Sequence, residues 1–169
     1  MIYRTDYNSP IGIMTLASDE ENLIGLWLKG QKYHGEEIFD EMIEKEDILV
    51  FAKTKEWLKN YFDGKKPDIK LLPLAPIGSE FRKEVWEILC EIPYGETITY
   101  KEIARKMAEK MGKPTMSAQA VGGAVGHNPI SVIIPCHRVI GTDGSLTGYA
   151  GGIEKKRHLL EHEEGTDSN

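Results

Sequence analysis

Ile133-Ile134-Pro135-Cys136-His137-Arg138-Val139-Ile140-Gly141 places a thiol, an imidazole and a guanidinium side by side inside an apolar run. The run Ile130 to Ile134 reads as a strand, and Pro135 ends it because proline has no N–H to give to a sheet ladder. The three chemically active side chains follow the break. A thiol attacks only as thiolate, and a neighbouring imidazole or guanidinium lowers its pKa toward working pH. On an extended segment Cys136 and His137 point to opposite faces, so a water or a backbone bend is needed to pass a proton between them. The competing reading is a cysteine buried as a small apolar side chain. The cationic pair that follows weakens it, since His and Arg are poor core neighbours. From spacing alone, nucleophile and metal ligand both stay open.

Upstream, the spacing predicts two short helices. Thr99 and Glu102 form a Thr-x-x-Glu capping box, which starts a helix burying Ile103, Ala104, Met107 and Met111, with Tyr100 in its first turn. A second helix starts near Thr115 to Ser117 and runs through Gln119, Ala120, Gly122, Gly123 and Ala124. Joined by a Gly/Pro turn, the pair reads as a helix-turn-helix. Each mid-helix glycine costs about 1 kcal/mol relative to alanine, so something approaches that backbone closely, either a neighbouring element or a ligand. Ser79 caps an earlier helix with Phe81, Val85, Trp86 and Leu89 on one face. Cys90, near its end, has no adjacent His or Arg and reads as structural.

Further upstream, Ile2 to Tyr7, Ile11 to Ala17 and Leu23 to Leu28 read as a strand meander. Helical spacing follows in Ile38, Phe39, Met42 and Ile43, then in Phe51, Trp57, Leu58, Tyr61 and Phe62. No chemistry is evident there. The fold class is therefore α/β in the broad sense (α+β): a small sheet-plus-helix domain over 1–70 and a Pro-bearing linker over 71–79. A mainly helical domain with the helix-turn-helix and a short active-site strand fills 80–169.

The 169 residues are 40% apolar, enough for a sizeable core, and the net charge is -6. The charge is unevenly spread. Residues 1–78 hold 10 Lys/Arg against 14 Asp/Glu, whereas 97–138 hold Lys101, Arg105, Lys106, Lys110, Lys113 and Arg138 against Glu102 and Glu109. A local basic surface suits phosphates better than the net charge suggests. No leader or membrane span is expected, and two cysteines make neither a disulfide framework nor a zinc motif.

The string PCHRV, preceded by AVGHNP and followed by GYAGG, resembles the active-site signature of the O6-alkylguanine-DNA alkyltransferases. The resemblance runs from about Phe81 through IPYG, TYKEIA and AVGGAVGHNP to LLEHE, about half the chain. It implies irreversible transfer of a methyl or larger alkyl group from O6-alkylguanine in double-stranded DNA, with O4-alkylthymine a second candidate. The acceptor would be Cys136, His137 a base acting through water, Glu163 the acid polarising it, Asn128 a brace, and Tyr100 the proton donor to guanine. Gln119, Ala120, Gly122 and Gly123 would enter the minor groove, with the base flipped into a pocket bordered by Val139, Tyr149, Ala150 and Gly151. Arg138 is placed with this DNA-facing set. Where the family carries an intercalating arginine this chain has Gln119, and Ala150 replaces a serine found in some members. The resemblance implies no metal, cofactor or obligate protein partner, and a cytoplasmic protein that acts once. Two rivals stand beside it: a non-catalytic helix-turn-helix regulator, and a thiol hydrolase built on Cys136, His137 and Glu163.

Overall fold

The structure, a computed structural model, describes residues 1–31, 42–146 and 149–165. Strands β1 (Tyr3–Ser9) and β2 (Gly12–Ser18) form an antiparallel hairpin. Its turn is closed by Ser9 Oγ donating to Gly12 O at 2.6 Å, and Gly12 takes φ +118°, which side chains with a Cβ avoid. Strand β3 (Leu23–Leu28) adds antiparallel to β2, completing the meander. A short β4 (Ile43–Glu44) pairs parallel with β1, giving the order β3-β2-β1-β4. Ile43 thus belongs to a strand and not to the helix its spacing suggested, because the open edge of β1 offers it backbone partners. Ile38 and Phe39 lie outside the described residues.

All of β3 is buried. Gly25 is required within it, since a Cβ there would lie 1.9 Å from the Trp27 ring. Helix α1 (Leu49–Phe62) buries Val50, Phe51, Thr54, Trp57, Leu58 and Tyr61 at helical spacing. The Pro-bearing stretch after it is extended but not free. Leu23 N–H donates to Pro73 O at 2.8 Å and Ala75 N–H to Leu23 O at 2.9 Å, so it lies along the edge of β3.

Helix α2 (Glu80–Cys90) is capped by Ser79, whose hydroxyl accepts from Arg82 N–H at 3.2 Å. It turns Val85, Trp86 and Leu89 inward. Helix α3 (Tyr100–Lys110) starts at Thr99, whose hydroxyl accepts from Glu102 N–H at 3.1 Å and donates to its carboxylate at 3.1 Å. Ala108 completes its buried face in place of Met111, which caps the helix and is exposed. Helix α4 (Ala118–Gly126) starts at Ser117, and Trp86 Nε1 donates to Ala124 O at 2.8 Å, fastening it to α2. Strands β5 (Ile98–Thr99) and β6 (Val139–Ile140) pair in parallel, and α5 (Ile153–Glu164) closes the fold. One core cluster runs from Met14, Leu16 and Leu26 of the sheet to Val139 and Leu159, so the two halves share an interior. Among the described residues no helix is long and apolar enough to cross a membrane.

Candidate active site

The segment Ile130–Ile134 is buried but is not a strand. Only Ile130 bridges to Leu26 of β3; the chain then folds back on itself, with Ile133 N–H donating to Ser131 O at 2.8 Å and Ile134 N–H to Ile130 O at 3.1 Å. Val132 takes φ +71°, a β-branched residue in a region costing about 1–3 kcal/mol. Asn128 compensates. Its Nδ2 donates to Ile134 O at 2.8 Å and Ile130 O at 3.3 Å, while its Oδ1 accepts from Ile130 N–H at 3.0 Å. The apolar run satisfies the core by threading it, which a period-based reading cannot distinguish from a central strand.

Pro135 then opens a 3-10 turn, Cys136–Arg138. Successive side chains on such a turn are about 120° apart instead of opposed. This is the backbone bend that the sequence required between thiol and imidazole, and the short strand β6 follows the cysteine instead of preceding it. All three side chains are buried.

The carboxylate of Glu163 is the hub. His137 Nε2 meets its Oε2 at 2.5 Å, Arg138 donates through Nε to Oε1 at 2.7 Å and through Nη2 to Oε2 at 3.1 Å, and Gly95 N–H donates to Oε1 at 3.2 Å. Tyr61, from α1, donates its hydroxyl to Oε2 at 2.6 Å. Burial would raise the Glu163 carboxyl, but the hydrogen bond from His137 and the Arg138 guanidinium outweigh it and hold the group well below the carboxylate range. Burial pushes His137 down, so the imidazole is neutral at working pH. With Nε2 turned to Glu163, Nδ1 is the basic atom, and it has no hydrogen-bond partner among the described residues.

Arg138 corrects the charge reading. Its third contact, Nη1 to Ile92 O at 2.6 Å, completes an inward-facing guanidinium 8% exposed, so it is a clamp on Glu163 and not a DNA-facing cation. A buried carboxylate needs a fixed counter-charge more than the surface needs a sixth base.

Cys136 is 5% exposed, and burial pushes its thiol up to about 11 against the lowering effects of Asn128 and Lys156. Lys156 is fully buried on α5, its own pKa brought down to about 8 by burial, and its ammonium stands 5.9 Å from the Tyr100 ring centre. Tyr100 is pushed up to about 12 by burial and by the Cys136 charge. Thiol, ammonium and phenol therefore form one electrostatic unit. Sequence reasoning passed over Lys156 and Tyr61. The signal for Lys156 was spacing, since Lys156, Leu159 and Glu163 fall on one face of α5 and all are buried; Tyr61 carried no signal beyond its apolar periodicity.

Residues 80–165 match the 6-O-methylguanine DNA methyltransferase DNA-binding domain, and residues 2–76 match the ribonuclease-like domain of the same family. The chain belongs to the 6-O-methylguanine DNA methyltransferase family. It is 49% identical to a methylated-DNA–protein-cysteine methyltransferase of Methanosarcina barkeri, over 96% of this chain and 98% of that one. The Mycobacterium tuberculosis O6-methylguanine methyltransferase crystal structure superposes with a TM-score of 0.82 at 40% identity, covering 98% of this chain and 94% of that one. A second structure of the mycobacterial protein, in complex with DNA, gives the same score and identity over 97% and 94% of the two chains.

In this methyltransferase the DNA-binding domain presents the small-residue helix to the outside. A Cβ at Gly122 or Gly123 would meet no described atom within 4 Å, so internal packing does not account for the two glycines. They line a cleft of about 620 Å³ together with His127, Tyr149, Ala150 and Gly151. Gln119 and Ala120 are exposed at the start of α4, and Lys101, Arg105, Lys106, Lys110 and Lys113 are exposed on and just beyond α3. Tyr149 lines the cleft and is buried; burial raises its phenol well above the usual value, and negative charge at Cys136 would raise it further. A Cβ at Gly151 would lie 2.6 Å from Leu28 Cδ1 and 2.8 Å from the Tyr149 ring, so any side chain there would displace one of them. Val139 is fully buried in the core, so only its backbone is offered to a ligand. Gly148 lies outside the described residues, and Cys90 is half-buried with its thiol pushed up to about 11, chiefly by burial.

Proposed function

We propose that this methyltransferase repairs O6-alkylguanine in double-stranded DNA by moving the alkyl group irreversibly to Cys136. The observation that carries the reading is a thiol kept neutral by burial and followed directly by an imidazole whose far nitrogen is tied to an anionic carboxylate. A resting thiol near pKa 11 needs a base at the moment of reaction. His137 Nδ1 takes its proton, through a water. The sulfur then attacks the alkyl carbon, the C–S bond forms as the C–O6 bond breaks, and Tyr100 protonates the departing guanine. Lys156 stabilises the thiolate as it forms and the Tyr100 phenolate afterwards.

The buried thiol cannot meet a stacked base, so the nucleotide is extruded at a cost of a few kcal/mol. Helix α4 is the element suited to a narrow minor groove, since Gly122 and Gly123 bring its backbone near the surface. Gln119 supplies a hydrogen-bonding but uncharged wedge, which weakens capture relative to an arginine. A free thiol of this kind suits a reducing, intracellular setting. The thioether is not displaced by water, so each molecule acts once. The test uses a duplex in which O6-methylguanine blocks a restriction site. Recovery of cleavage in proportion to added protein, stopping at one lesion per molecule, is expected; continued turnover points to a thiol hydrolase, and binding without recovery to the regulator.

A further inference from the structure

The N-terminal domain reaches the reactive constellation through Tyr61. This residue is 1% exposed, and its hydroxyl lies 2.6 Å from the same Glu163 oxygen that meets His137 at 2.5 Å. It is held on several sides. His162 Nε2 contacts its backbone carbonyl at 2.7 Å, Trp57 stacks on its ring at 5.7 Å, and Tyr94 meets it edge-on at 5.8 Å. Packing alone would be served by phenylalanine; the hydroxyl is aimed across the domain boundary at one charged oxygen.

We propose that Tyr61 is a positioning residue for alkyl transfer, a phenol that fixes the Glu163 carboxylate and tempers its pull on the His137 imidazole. The inference rests on the roles assigned above to His137 and Glu163. Each donor to a carboxylate lowers its basicity. With Tyr61 and Arg138 both donating, Glu163 orients the Nε2–H without taking the proton. If the phenol donor is removed, negative charge concentrates on Oε2, the bond to His137 strengthens, and the imidazole binds a second proton more readily. A protonated His137 is no base. Burial and the Glu163 charge hold Tyr61 protonated far above any working pH, so it donates throughout. The other groups facing the pair are Arg138 from the 3-10 turn, Tyr149 before α5, Lys156 and His162 from α5, and Tyr94 before β5 with Lys66 over its ring. Tyr61→Phe leaves them all in place.

The experiment compares the full-length wild type, Tyr61→Phe and Glu163→Gln. Single-turnover alkylation by an O6-methylguanine duplex is followed from about pH 5 to 9, and the His137 ring nitrogens are titrated by NMR. For Tyr61→Phe the imidazole midpoint is expected to rise by about half to one unit. The acid limb of the rate profile should move with it, so the rate on that limb should fall about three- to tenfold. A lowered melting temperature with an unmoved midpoint and acid limb overturns the inference and leaves Tyr61 a packing residue. If Glu163→Gln reacts at the wild-type rate, the site reading fails and the inference with it; an impaired Glu163→Gln beside an unaltered Tyr61→Phe removes the inference alone. Should Tyr61→Phe not fold at the assay temperature, 3-fluorotyrosine at position 61 keeps the ring and strengthens the donor. The midpoint then moves down, and an unmoved midpoint refutes the role.

Discussion

Arg138→Met separates the interior clamp from the surface cation that the sequence suggested. The guanidinium makes three short contacts, two to Glu163 at 2.7 and 3.1 Å and one to Ile92 O at 2.6 Å. Removing one partner of a buried ion pair costs about 3–5 kcal/mol. Glu163 keeps the donors His137, Tyr61 and Gly95, which places the loss at the low end, about 3 kcal/mol. For a chain of this size that is a fall in Tm of about 6–12 °C. The sign with pH follows from the depressed Glu163 carboxyl. A group whose folded pKa is lowered adds stability above its unfolded pKa, about 4.3. That contribution fades as pH falls from there toward the folded value. The gap between wild type and variant should therefore be widest at neutral pH and narrow progressively below about pH 4. Urea unfolding at a series of pH values measures it, alongside the salt dependence of duplex binding. A phosphate contact would change the log–log salt slope by about one unit. A stable variant with a reduced slope would refute the inward clamp.

Lys156→Met should raise the Cys136 thiol further, because the ammonium is a stabilising charge beside it. The alkylation rate at neutral pH should fall about tenfold and recover in part at higher pH, as a rate–pH profile will read. Gly123→Ala adds a methyl group that meets no described atom, so helix propensity predicts a gain of about 0.5–1 kcal/mol in stability. Duplex affinity should fall at the same time, and unchanged affinity would show that the glycine serves no DNA contact. Gln119→Arg should tighten duplex binding and steepen its salt slope by about one unit; equal affinity and rate would count against the reading of Gln119 as a weakened wedge.

The sequence disclosed most where local rules and packing agree. The caps at Ser79, Thr99 and Ser117 mark α2, α3 and α4, and the short apolar runs of the first thirty residues mark the hairpin and its third strand. It disclosed least where a segment's partners are distant in the chain. Ile130–Ile134 has strand composition, yet Asn128 and the single bridge to Leu26 make it a folded loop in the core. Ile43 joins β1 because an edge was open. Arg138 looked like part of a basic surface until Glu163, twenty-five residues later, turned it inward. Cys136, His137, Asn128 and Glu163 were legible from the family pattern, and the structure brings them together. Lys156 and Tyr61 were not, because their burial against the site depends on how α5 and α1 meet around Glu163.

Intact-protein and peptide mass spectrometry after incubation with a duplex carrying one O6-methylguanine tests the central claim most directly, with Cys136→Ser and undamaged duplex as controls. The account predicts a gain of one methyl group, on the peptide holding Cys136, saturating at one per protein and lost in Cys136→Ser. A methyl group on Cys90, or lesion-dependent binding with no gain in mass, would contradict it.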